Sequence, residues 1–123
     1  MLLRKYKSTQ KALLGGNFLG KNVDIIAPAL SKIFSDYAKS ISVDELASLC
    51  GISKYHFCRV FKKEMKSTVV EYINNYRLSL AEIMLKNKTL TTEVIARACG
   101  FNDVSYFYRC YKKTRNKPFK RKQ

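Results

Sequence analysis

The chain carries one supersecondary unit twice. Ser42 to Lys63 recurs as Thr91 to Lys113: Ala47, Cys50 and Gly51 return 49 positions later as Ala96, Cys99 and Gly100. Beyond the second glycine one residue has been gained. Phe57, Arg59, Phe61, Lys62 and Lys63 therefore return 50 positions later as Phe107, Arg109, Tyr111, Lys112 and Lys113. So many coincidences in so short a window restrict the chain to folds that tolerate two copies of one small unit.

Each copy has the grammar of helix, tight turn, helix. Ser42 and Glu45 have the spacing of a capping box, in which a hydroxyl and a carboxylate satisfy free backbone N–H groups at a helix start. Val43, Leu46, Ala47 and Cys50 then follow helical spacing. Gly51 ends the helix in the left-handed conformation that glycine adopts with little strain, and Ser53 caps a second helix reaching about Lys63. In copy two Thr91 starts a helix carrying Ile95, Ala96 and Cys99, Gly100 terminates it, and Asn102 is read as the next cap. Two helices meeting across a short glycine turn form a helix-turn-helix, whose second member enters the DNA major groove.

Two more helices complete an all-α plan. Pro28 suits the first turn of a helix running to about Lys39, with Leu30, Ile33, Phe34 and Tyr37 as its apolar stripe. Between the copies, Thr68 and Glu71 open a helix on which Tyr72, Ile73, Tyr76, Leu80, Ala81 and Met84 recur, ending near Lys86. The expected organisation is residues 1–23 as the end of an upstream effector or dimerisation domain or a linker, and 24–67 as a first helix-turn-helix subdomain. Residues 68–87 form a linker helix, and 88–123 a second subdomain with a basic tail.

Composition then selects the partner. Lysine and arginine number 24 against 9 acidic residues, a net charge of +15. A field of that sign concentrates phosphate and releases counterions on binding, which favours nucleic acid. The single histidine, His56, and the lack of a Gly-rich phosphate loop argue against an enzyme. Cys50, Cys58, Cys99 and Cys110 form no CxxC pair, so neither a zinc site nor a disulfide framework is expected. No apolar run is long enough to span a bilayer, and a cytoplasmic protein without cofactor is expected.

At the level of motifs the chain resembles the DNA-binding domain of bacterial AraC/XylS regulators. The carriers are Glu45-Leu46-Ala47 with Gly51-Ile52-Ser53, Phe57 to Lys63, Arg77-Leu78 followed by Ala81, Ile95-Ala96 leading to Gly100-Phe101, and Ser105 to Lys113. The resemblance implies seven helices, two helix-turn-helix subdomains joined by a linker helix, and transcription control, expected to be activation, through RNA polymerase at promoters. Three places depart from the pattern. Lys66 and Asn116 stand where a helix-ending glycine is usual, and Lys122 and Gln123 replace the usual terminal tyrosine and arginine.

The first reading helix divides into an inward face, Phe57, Val60 and Phe61, and an outward face, Lys54, Tyr55, Cys58, Arg59 and Lys62. In copy two Phe107, Cys110 and Tyr111 point inward, and Val104, Ser105, Tyr108, Arg109 and Lys112 outward. Lys54, Tyr55, Cys58, Arg59, Val104, Ser105, Tyr108 and Arg109 are the candidates for base contact, the arginines because a planar guanidinium matches guanine O6 and N7 or a phosphate. Lys62, Lys63, Lys112 and Lys113, with the helix starts at Ser42, Ser53, Thr91 and Asn102, are the candidates for phosphate contact. The basic run from Lys112 to Lys122 is either a solvated tail or an arm along the phosphate backbone. Double-stranded DNA is the expected partner, bound by one chain across about two helical turns. The rival is a sequence-neutral basic nucleic-acid binder.

Overall fold

The computed structural model describes residues 21–121; of residues 1–23, read as an upstream end or linker, 1–20 lie outside them and Lys21 to Val23 open the first helix. Six helices are present among the described residues, where the resemblance implies seven: α1 (Lys21–Asp36), α2 (Val43–Leu49), α3 (Lys54–Met65), α4 (Val69–Met84), α5 (Thr92–Ala98) and α6 (Val104–Arg115). No strand occurs among the described residues. The described residues divide into two compact units: the first takes 21–35 with Ser42–Thr68, the second takes Asp36–Ile41 with 69–121. The helix between the copies thus belongs to the second unit.

In the first unit, Ile26, Ala29, Leu30, Ile33 and Phe34 of α1 are buried, as are Leu46 and Ala47 of α2 and Phe57, Val60 and Phe61 of α3. Pro28 is not in the first turn of α1 as the sequence suggested; it lies inside a helix that begins at Lys21 and ends at Asp36. A proline at that position removes one backbone hydrogen bond and costs about 3 kcal/mol. The stripe through Ile26, Ala29, Leu30, Ile33 and Phe34 keeps helical spacing across it. Burial at roughly 1.5–3 kcal/mol for each large side chain outweighs that loss, and the proline ring itself is exposed.

The second unit closes around Leu78 and Ala81 of α4, Ile95, Ala96 and Cys99 at α5, Phe101 in the turn and Phe107 of α6, with Leu80, Met84, Leu90, Tyr111 and Phe119 packed against them. Arg115, at the end of α6, reaches back to α4. Its Nη2 and Nε donate to the two Glu82 carboxylate oxygens at 2.7 and 3.3 Å, and its Nη1 donates to Asn75 Oδ1 at 2.9 Å. That pairing raises the Arg115 pKa, chiefly through the hydrogen bonds to Glu82.

Both turns are Schellman motifs. In the first, Ile52 N–H donates to Ala47 O and Gly51 N–H to Ser48 O; in the second, Phe101 N–H donates to Ala96 O and Gly100 N–H to Arg97 O. The glycines have φ of 70° and 104°, which their lack of a side chain permits. Lys66 and Asn116, the two departures from the glycine pattern, adopt the same left-handed backbone at φ 64° and 60°. The expected cap at Asn102 is not observed. Asp103 caps α6, its carboxylate accepting from Tyr106 N–H at 2.8 Å. The residue gained after Gly100 moves the cap one position along, and the 50-residue offset of the reading helices relates Ser53 to Asp103.

Candidate nucleic-acid interface

In each unit the helix after the turn hides one face and offers the other. On α3, Phe57, Val60 and Phe61 are buried, whereas Lys54, Tyr55, Cys58, Arg59, Lys62 and Lys63 are exposed. Arg59 lies over the Tyr55 ring, 5.7 Å from its centroid. A guanidinium resting on an aromatic face one turn earlier is partly oriented before it meets a partner, and its edge keeps its hydrogen-bond donors. Lys54 Nζ is 3.9 Å from Asp44, an exposed pair that a phosphate competes with.

On α6, Phe107 is buried and Ser105, Tyr108, Arg109, Lys112 and Lys113 are exposed. Arg109 also lies over a tyrosine, 5.5 Å from the Tyr106 ring centroid, but on a ring three residues back where Arg59 uses one four back; in the repeat register Tyr106 matches His56, and Tyr55 matches Ser105. Tyr106 is itself fixed: its hydroxyl accepts from Asn74 Nδ2 at 2.8 Å. Val104 does not face solvent as the outward pattern suggested; it is half-buried and packs against the unit's core. Cys110 and Tyr111 are half-buried, on the inward side as read.

The helix starts differ in charge. Ser42, Ser53 and Thr91 accept, through their side-chain oxygens, from the backbone N–H groups of Glu45, His56 and Val94 at 3.0–3.1 Å. Acidic residues stand in the first turns of α2 (Asp44, Glu45) and α5 (Glu93), and none in that of α3. At α6 the cap is the Asp103 carboxylate, so this start repels a phosphate where that of α3, with Lys54, attracts one. Asn102 is exposed beside it and holds no cap position.

The tail is docked at least as far as Arg121. Phe119 packs on Phe107, Tyr108 and Tyr111 at centroid distances of 5.2, 5.7 and 5.1 Å. Arg121 donates to Thr92 Oγ1 at 3.3 Å and to the carbonyls of Leu85 and Asn87 at 3.5 and 3.1 Å. The lysines Lys112, Lys113, Lys117 and Lys120 remain exposed. Sequence reasoning missed Asp103, Tyr106, Phe119 and Arg121. The first was legible in the repeat register, and the lone aromatic within the basic tail was a signal for the third.

No cluster of metal-binding side chains and no helix long and apolar enough to cross a membrane occurs among the described residues. Burial raises the pKa of Cys50, Cys99 and Cys110, against smaller lowering contributions from a backbone hydrogen bond at Cys50, from Arg77 at Cys99, and from a hydrogen bond with Tyr106 and then nearby cations at Cys110. These three act as apolar fillers. Cys58 is the exposed one, on the solvent face of α3.

A helix-turn-helix domain model matches residues 46–121, which include both turns and both reading helices. The chain belongs to the AraC/XylS-type helix-turn-helix family. Within this family of DNA-binding transcription regulators it is 31% identical over 88 residues to the xylose operon regulatory protein of Escherichia coli K12, a match covering 72% of this chain and 22% of that protein. It therefore spans about a fifth of that relative's length. The fold is shared with an AraC-type DNA-binding domain from Chromobacterium violaceum, at TM-score 0.68 and 24% identity over 77% of this chain and 85% of that one. It is also shared with the DNA-binding domain of AdpA, solved with a target DNA, at TM-score 0.69 and 17% identity over 76% and 84% of the two chains.

Proposed function

We propose that this chain reads a specific double-stranded DNA site at promoters by placing α3 and α6 in successive major grooves of one duplex. The observation that carries this reading is the duplicated reading face: in each unit an exposed arginine rests on a tyrosine of the same helix, above a buried phenylalanine. Arg59, Arg109, Tyr55, Tyr108, Lys54, Cys58 and Ser105 contact bases. Lys62, Lys63, Lys112 and Lys113 hold phosphates, and the Ser53 start of α3 adds backbone N–H groups. Copy one supplies the larger share of discrimination, because its reading face is free of half-buried positions and its helix start lacks a carboxylate. Regulation then proceeds through RNA polymerase bound beside the site.

Selection of bound duplexes from a random pool, followed by competition against random DNA at fixed salt, tests this. A specific site is expected to win by roughly 10³-fold or more. A ratio near one, with affinity falling steeply in salt, would instead establish sequence-neutral binding driven by the net charge of +15.

A further inference from the structure

We propose that Phe119 is a positioning residue for the second reading helix, fixing the Tyr108 ring against α6 so that Tyr108 meets its base already ordered. The inference rests on the reading of Tyr108 as a base contact and adds the source of its orientation. Tyr108 is the large side chain of the α6 reading face and is 43% exposed. Its ring is covered by Phe119 at 5.7 Å with 34° between planes, and by Phe107 at 5.6 Å and 57°.

Phe119 is in turn held on its other sides. It meets Phe107 and Tyr111 edge-on at 5.2 and 5.1 Å. Two residues later Arg121 clasps the carbonyls of Leu85 and Asn87, just beyond the C-terminal end of α4, where a cation also suits the helix dipole. The segment after Asn116 is thereby fastened at both a ring and a guanidinium. A tyrosine on an open helix surface loses rotamer freedom when it docks; one already stacked has lost it beforehand.

Copy one has no equivalent device. The position matching Tyr108 is Cys58, a small side chain, and the position matching Phe119 is Val69, the first residue of α4. Copy one orders its reading face within the repeat, Arg59 on Tyr55 and Lys54 beside Asp44, whereas copy two also recruits a segment from outside it.

The test is random-pool selection and affinity measurement on the 123-residue chain, comparing wild type with Phe119→Leu, Tyr108→Ala and the double variant. Phe119→Leu, which keeps apolar bulk and removes the ring face, is expected to weaken binding to the selected site roughly two- to tenfold. It flattens base preference only at the positions that Tyr108→Ala flattens, and leaves untouched those lost in Arg59→Ala. The double variant is no weaker than Tyr108→Ala alone, and Phe119→Tyr, which restores a ring, returns the wild-type pattern. If Phe119→Leu lowers the melting temperature, Phe119→Met is read in its place. Equal loss on every sequence, or additive losses in the double variant, overturns the positioning role while Tyr108 keeps its base. A Tyr108→Ala variant with undiminished preference everywhere defeats the base contact itself, and the inference with it.

Discussion

The two turns are built from the same hydrogen bonds and differ in what stands beside their glycines. At Gly51 a Cβ would meet nothing within 4 Å. At Gly100 it would stand 2.6 Å from the Tyr37 carbonyl oxygen, 2.7 Å from Arg77 Nε and 3.1 Å from Ala38 Cα. The first glycine therefore serves only the backbone conformation, whereas the second also lets another segment approach. Arg77 holds that segment in place, donating from Nε to Tyr37 O at 2.7 Å and from Nη2 to Lys39 O at 2.9 Å. Burial lowers the Arg77 pKa, with small opposing effects from Tyr106 and two cysteines. Duplication preserved the turn, and the second copy acquired a further load at its glycine.

Alanine at each glycine separates the two turns most strongly. Gly100→Ala combines left-handed strain with a backbone clash and should cost roughly 3–5 kcal/mol. Gly51→Ala carries the strain alone, about 1–2 kcal/mol. Thermal melting distinguishes them, at about 3–6 °C per kcal/mol for a chain of 123 residues. Equal shifts would remove the difference between the turns.

Next in size are the small buried residues of the first helix of each copy. Ala47 is 3% exposed and Ala96 fully buried. Leucine at either should cost about 1–3 kcal/mol by overpacking. Unchanged melting at one of them would show that its copy is loosely packed.

The two left-handed caps differ as well, in the opposite sense. Lys66→Gly relieves a side chain from φ 64° and should gain about 0.5–1 kcal/mol in denaturant unfolding. Asn116→Gly should gain no more than about a few tenths, because asparagine tolerates that conformation.

The smallest expected effect is chemical. At neutral pH a thiol-alkylating reagent should label Cys58 first and Cys99, which is fully buried, last. The raised pKa values also carry a sign for stability. Above pH 9 the unfolded thiols lose protons that the folded state retains, and Tyr72, pushed up to about 12 mainly by burial, acts likewise at higher pH. Stability is then complete below pH 9 and declines as pH rises through the folded values. Melting temperatures that rose between pH 9 and 11 would contradict this.

Periodicity made much of this architecture legible. Buried Leu46, Ala47, Phe57, Phe61, Ile95, Ala96 and Phe107 all lie where helical spacing put them, because one amphipathic pattern serves both copies. Local rules failed where tertiary contacts override them. Pro28 looked like a helix start, yet burial on both sides of it carries the helix through. Asn102 is a good cap by type, but the register of the repeat, and the carboxylate at Asp103, decide the start of α6. Tyr106 and Arg121 act through partners 29 to 36 residues away in sequence, and Phe119 through a ring on α6 that precedes it, and no short window displays such pairings.

Under the proposed function, each copy contributes one base-reading arginine to a single DNA site. This is tested most directly by measuring the affinity of Arg59→Ala and Arg109→Ala for every single-base variant of the selected duplex. Each variant should lose preference at its own base, at a cost of about 1–3 kcal/mol, with the two positions about 10 bp apart. Loss of affinity spread evenly over all sequences for both variants would reduce the arginines to phosphate contacts and contradict the account.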